Sequence, residues 1–95
     1  SIPEQFALHQ NYPNPFNPNT SIRYELPEQA DVRVLIYDLR GRLIRTLVNE
    51  TQTAGYKTLI WDGADNNGLS VSAGLYLYSL QTDTYRQTKK LVLLK

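Results

Sequence analysis

The single histidine, His9, is the side chain best suited to proton transfer near neutral pH, and the chain has no cysteine to act as a nucleophile. A general base works only when a third group holds it within hydrogen-bond reach of its partner. His9 precedes a proline-rich stretch and lies outside every strand-like run, so it is expected to be solvated on a loose lead-in. Asp62 and Asp65 are candidate paired carboxylates. They stand in the turn-rich run Asp62-Gly63-Ala64-Asp65-Asn66-Asn67-Gly68, which supplies no apolar pocket to raise a carboxyl pKa. No catalytic residue is assigned, and the chain is not expected to be an enzyme.

The same run resembles a calcium loop, with Asp62, Asp65 and Asn67 as candidate ligands. Counting back from Gly68 places position 1 of an EF-hand at Gly63, and no Glu follows at the required distance. Asp, Asn and Gly are also what any tight connection uses, and the turn reading is preferred. No cofactor is expected.

Two further groups could do recognition chemistry. Tyr76 and Tyr78 share a strand face, with Trp61, Tyr37 and Tyr85 as possible neighbours. An exposed row of rings would stack on sugars, whereas a buried one would fill an interior. Leu75, Leu77 and Leu80 leave neither face of that strand polar, which favours the interior. At the end of the chain, Lys89, Lys90, Leu91, Val92, Leu93, Leu94 and Lys95 form an apolar run flanked by lysines. Such a strand is either an edge protected by its charges or a segment that a partner reads by strand addition.

These residues need elements to position them. Ninety-five residues suffice for one domain with one modest core, and 41% hydrophobic content is too high for a disordered tail. Ten basic and nine acidic residues are scattered along the chain, with no basic block to grip phosphates, so nucleic acid is not an expected partner. No apolar run approaches the roughly 18 residues of a membrane helix, and membrane insertion is not expected. The first residues lack the pattern of a signal peptide, and the chain reads as a piece of a longer protein. The absence of cysteine does not fix the compartment.

The dominant hydrophobic period is two, in runs rich in β-branched and aromatic residues. Residues 21–26 alternate with Ile22, Tyr24 and Leu26 on one side, and residues 31–37 resume with Val32, Val34 and Ile36. As a hairpin, these runs would set Tyr24 against Val34, Ile22 against Ile36 and Glu25 against Arg33. Asp38-Leu39-Arg40-Gly41 is a turn signal, with Gly41 free to take positive φ. Further strands are predicted over 42–48, 56–61, 69–71, 75–82 and 86–94, with 49–55 and 62–68 as loops. About seven strands at a spacing of about ten residues, without a helix, indicate an all-β fold. The architecture expected is an immunoglobulin-like antiparallel β-sandwich.

Ahead of the sandwich, residues 11–20 hold three prolines and four asparagines. Proline fixes φ, and Asn favours Asx-turns, so residues 1–19 are expected to form a stiff lead-in to a domain over 20–95. Tyr12 and Phe16 are expected to anchor it on the sandwich.

The ordered series Phe6-Ala7-Leu8-His9-Gln10-Asn11-Tyr12-Pro13-Asn14-Pro15-Phe16-Asn17-Pro18, Ile22-Arg23-Tyr24-Glu25-Leu26-Pro27 and Ile36-Tyr37-Asp38-Leu39-Arg40-Gly41-Arg42 resembles one family. The likeness continues through Ala54-Gly55, Trp61-Asp62-Gly63, Gly68, Ser72-Ala73-Gly74-Leu75-Tyr76-Leu77-Tyr78 and residues 89–95. The chain resembles a type A C-terminal sorting domain of the type IX secretion system. That group is similar to the Ig-like domain of the flagellar hook-capping protein. The resemblance implies a C-terminal address label of a Gram-negative bacterium. Its covalently attached upstream cargo crosses the periplasm and outer membrane to the cell surface or medium. The implied partners are the secretion translocon and a sortase-like protease that commonly removes the domain. It further implies that Lys89, Lys90, Leu91, Val92, Leu93, Leu94 and Lys95 are recognised by the machinery. Gly41, Gly55, Gly63, Gly68 and Gly74 would shape the turns. The alternative is a non-catalytic carbohydrate-binding or spacer module beside a secreted enzyme.

Overall fold

A computed structural model describes residues 1–94; Lys95, the last residue of the expected recognition segment, lies outside the described residues. Seven strands make up the fold: β1 (Ala7–Leu8), β2 (Thr20–Leu26), β3 (Ala30–Tyr37), β4 (Leu43–Gln52), β5 (Gly55–Trp61), β6 (Gly74–Gln81) and β7 (Arg86–Leu93). They form a three-stranded sheet in the order β1-β2-β5 and a four-stranded sheet in the order β4-β3-β6-β7. Every strand pairing is antiparallel. The expected immunoglobulin-like β-sandwich is what the sequence builds.

Period-two patterning explains which side of each strand is buried. Ile22, Tyr24 and Leu26 of β2, Val32, Val34 and Ile36 of β3, and Tyr76, Tyr78 and Leu80 of β6 all lie in the interior. Trp61 ends β5 at the centre of an aromatic cluster, with its ring 5.6 Å from Phe16 and 5.7 Å edge-on to Tyr76. Its indole N–H donates to the Ala64 carbonyl at 2.9 Å, so burying the ring leaves no donor unpaired.

The expected β2–β3 hairpin does not form. Tyr24 lies opposite Lys57 of β5, and Ile22 opposite Leu59. Val34 lies opposite Val48 of β4 and Leu80 of β6. Thus β2 and β3 lie in different sheets and face each other across the core. Alternating apolar residues are satisfied as well by facing layers as by neighbouring strands, and the connection through Pro27, Glu28 and Gln29 carries the chain across. Glu25 consequently meets His9, and Arg33 meets Gln81, in place of each other.

Two boundaries also differ from expectation. β4 continues to Gln52, through polar residues expected to be loop, because Asn49, Glu50 and Thr51 pair with β3 along an exposed stretch. Gln52 then accepts a 2.6 Å bond from the Tyr24 hydroxyl. The expected strand at 69–71 is reduced to a single bridge between Ala64 and Ser70. The seventh strand is instead β1, two residues of the lead-in added to β2.

Candidate functional site

The terminal strand β7 is an edge of the four-stranded sheet, and one of its sides is bonded to β6 from Arg86 to Leu93. From Lys90 to Leu94 its other side is covered by the lead-in. The Gln10 side-chain amide donates to the Lys90 carbonyl at 2.8 Å, and the Asn14 side-chain oxygen accepts from the Val92 amide at 2.9 Å. Phe16 then runs parallel to β7: its amide donates to the Val92 carbonyl at 3.0 Å and its carbonyl accepts from the Leu94 amide at 2.8 Å. Proline has no amide donor, so a strap rich in Pro and Asn reaches these groups through the Asn14 side chain and the Phe16 backbone.

The strap is anchored at both ends. Phe16 is 1% exposed, in contact with the Trp61 cluster. At the other end the buried Tyr78 hydroxyl donates to the His9 carbonyl at 2.7 Å and accepts from the Asn11 amide at 2.9 Å. Burial of Tyr78 pushes its pKa up to about 12, since the phenolate would lose its water. The buried Asn11 side chain donates to the Thr20 hydroxyl and the Pro13 carbonyl. Further out, Phe6 stacks on Tyr85 with ring centroids 5.3 Å apart. Tyr12 departs from expectation. It is 77% exposed, and only its backbone is used, in two bonds to Ser21.

His9 is not free in solvent either. Its Nε2 bonds to the Glu25 carboxylate of β2, which makes the pair a fastener between lead-in and sheet. Asp62, Asp65 and Asn67 lie in the connection after β5. Asp62 accepts from the Ala64 amide, and Asp65 from the Asn67 and Leu69 amides, so turn chemistry uses one oxygen of each carboxylate. In the same connection the Asn66 amide donates to the Ile44 carbonyl, while its side-chain oxygen accepts from the Thr46 amide. This closes part of the β4 edge. Trp61, Tyr76 and Tyr78 are interior, and no sugar platform forms from them.

Gly41, Gly55, Gly63, Gly68 and Gly74 all have positive φ. Gly63 is the most constrained: at φ +77° an added Cβ would also touch the Pro18 carbonyl and the Leu93 side chain. In the β3–β4 turn the Arg42 amide bonded to Asp38 does most to hold that carboxyl below its ordinary pKa.

Sequence reasoning located the terminal strand but missed the strap's pairing with it. No periodic signal marks that pairing, since it runs through the Gln10 and Asn14 side chains and the backbone of the single residue Phe16.

Residues 16–85 match the FlgD Ig-like domain family. No curated protein matches the chain in a sequence comparison. Among solved structures, dimeric latent PorU from Porphyromonas gingivalis aligns with a TM-score of 0.69 at 22% identity, over 94% of this chain and 9% of PorU. PorZ, an essential surface component of the type IX secretion system of the same organism, aligns with a TM-score of 0.62 at 19% identity, over 94% of this chain and 12% of PorZ. FlgD from P. aeruginosa aligns with a TM-score of 0.60 at 28% identity, over 78% of this chain and 58% of FlgD. The chain therefore spans less than two thirds of each of these proteins, and the likeness to PorU and PorZ is one of fold. From the match over residues 16–85 together with the observed two-sheet sandwich, the chain belongs to the FlgD Ig-like domain family.

Proposed function

We propose that this domain is a C-terminal sorting signal for the type IX secretion system. On this reading it directs a covalently attached upstream cargo through the translocon to the cell surface or medium and is commonly removed by a sortase-like protease. The observation that carries the reading is one of proportion. Nearly the whole chain, 94%, corresponds to small shares of two larger proteins, 9% of PorU and 12% of PorZ, and PorZ is a component of that system. A module that recurs as a minor part of larger proteins suits an address label. The polar groups of the site hold a strap to a strand, and on this reading the domain is carried as a substrate of the machinery.

Deleting residues 89–95 is a poor test, because Leu91 and Leu93 are buried opposite Tyr76 and Gly74. Their loss would unfold the sandwich whatever the strand's role. The sound test fuses residues 1–95 behind a reporter with a Sec signal. It is expressed in a type IX-competent strain and in one lacking the translocon. The reporter is expected on the surface or in the medium of the first strain and in the periplasm of the second. Periplasmic retention in both would overturn the proposal.

A further inference from the structure

If β7 is the recognised element, its mode of recognition is constrained by the strap. The outward groups at Lys90, Val92 and Leu94 already bond to Gln10, Asn14 and Phe16. A partner strand cannot add there while the strap is seated. Along this stretch, what β7 still offers is the outer face of its sheet.

The register divides that face into two halves. At one end Arg33, Gln81 and Arg86 lie side by side across three strands, with Ser79 and Thr88 next to them. At the other end Leu43, Tyr37, Leu77 and Lys90 form a cross-strand row, and Leu75 with Val92 forms the next. None of Leu43, Tyr37, Leu75, Leu77 and Val92 belongs to the interior cluster or packs against it. Leu43 and Leu75 are exposed, and Tyr37, Leu77 and Val92 are half-buried. The charge beside this patch is mainly basic. Lys90 lies in its first row, and Arg40 and Arg42 line the groove next to Leu75, where Asp38 is bonded to Arg42.

We propose that this apolar half-face, centred on Leu77 and Val92 and bordered by Lys90, is a docking surface for a folded protein with an apolar centre and a carboxylate-rich rim. The inference rests on the sorting reading and deepens it: the machinery reads the terminal strand by its side chains, not by its edge. Charge complementarity selects the acidic rim. A flat sheet with half-buried leucine, valine and tyrosine suits a complementary packed surface. Its central side chains, Tyr37, Leu77 and Val92, are half-buried, which favours packing against a protein surface over entry into a lipid layer.

The test uses the same secreted fusion. Leu77→Arg and Val92→Arg are each expected to lower the secreted fraction at least about tenfold, as loss of a central interface anchor does. Lys90→Glu should lower it by a smaller factor. Thermal unfolding of the purified variants should remain cooperative, since these side chains lie outside the core. Asn14→Ala, which loosens the strap, should change secretion by less than about twofold. If wild type is secreted and both arginine variants are secreted equally well, the docking surface is wrong. An increase of secretion in Asn14→Ala with no effect of the arginines would overturn it in favour of edge pairing. Sedimentation of the purified chain with vesicles of equal parts phosphatidylglycerol and phosphatidylcholine, abolished by Val92→Arg, would overturn it in favour of a membrane. Failure of the wild-type fusion to be secreted would instead overturn the sorting reading, and the docking proposal with it.

Discussion

Two of the sandwich's edges, β7 and β5, are treated in opposite ways. Along β7, the outward groups of Lys90, Val92 and Leu94 are bonded to the proline-rich strap. Along β5, the side away from β2 has no strand partner among the described residues, and Tyr56 and Ile60 stand 65% and 58% exposed on the sheet's outer face. An uncovered edge invites pairing with another chain, and natural sheets limit that by covering the edge, charging it or keeping it short. Here β7 is covered, whereas β5 is limited to seven residues and carries Lys57. The difference shows where the fold commits binding energy: ordering a strap costs conformational entropy, which must be offset by burial and hydrogen bonds.

That cost makes Phe16 the residue on which the comparison should break most visibly. Its ring is buried between strap and core, and two of the bonds that cover β7 use its backbone. Phe16→Ala is expected to lower stability by about 3–5 kcal/mol, the usual range for deleting a buried aromatic side chain. That is a large share of the roughly 5–15 kcal/mol available to a domain. Urea unfolding at neutral pH measures it. A loss below about 1 kcal/mol would mean that the strap is not structural.

The next largest effect should come from the anchor at the other end. Tyr78→Phe removes the hydroxyl that joins the His9 carbonyl to the Asn11 amide, at an expected cost of about 1–2 kcal/mol. It also has a pH signature. A tyrosine whose folded pKa is raised to about 12, against an ordinary value of 10, resists ionisation in the native state. Its contribution is therefore fully present below pH 10 and is lost as pH rises through about 12. Tyr78→Phe should flatten that alkaline decline. A residual slope is expected from Tyr24, whose pKa burial also raises.

A smaller change should follow at Asn14, whose side chain makes a single exposed bond to β7. Asn14→Ala is expected to cost about 0.5–1.5 kcal/mol. More telling is the local readout by amide hydrogen exchange. The Val92 amide should be protected in the parent and should exchange much faster in the variant, while the Leu91 and Leu93 amides stay protected within the β6–β7 ladder. Equal protection of Val92 in both chains would show that Asn14 does not seal the edge.

Much of this contrast was legible in the sequence, though not its pairing. Runs of apolar, β-branched and aromatic residues, most of them of period two, marked six of the seven strands, and Asp38 with Gly41 marked the β3–β4 turn, because local chemistry alone decides those features. The partner of a strand is a different matter. Matching alternation in residues 21–26 and 31–37 fits a hairpin or two facing layers equally well, and only the chain path between them decides. β1 is two residues long, too short for any period to show. Tyr12 and Phe16 looked equivalent as ring anchors. Phe16 lies where the strap runs along β7 over the Trp61 cluster, whereas Tyr12 meets β2 through backbone alone. The terminal strand was found by its composition, but the strap covering it could not be, because side-chain bonds from Asn14 and Gln10 to backbone leave no periodic trace.

The smallest effect belongs to the uncovered edge, and it sharpens the contrast from the other side. Ile60 is exposed on β5 and lies opposite Ser21 of β2, so it has little apolar surface to lose on substitution. Ile60→Lys is expected to change stability by no more than about 0.5 kcal/mol, as for most surface substitutions. It should also reduce any self-association seen at high concentration in sedimentation velocity, because a lysine at an open edge disfavours pairing between chains. Should Ile60→Lys instead destabilise the domain as strongly as Phe16→Ala, β5 would have to be covered in solution, and the asymmetry between the two edges would disappear.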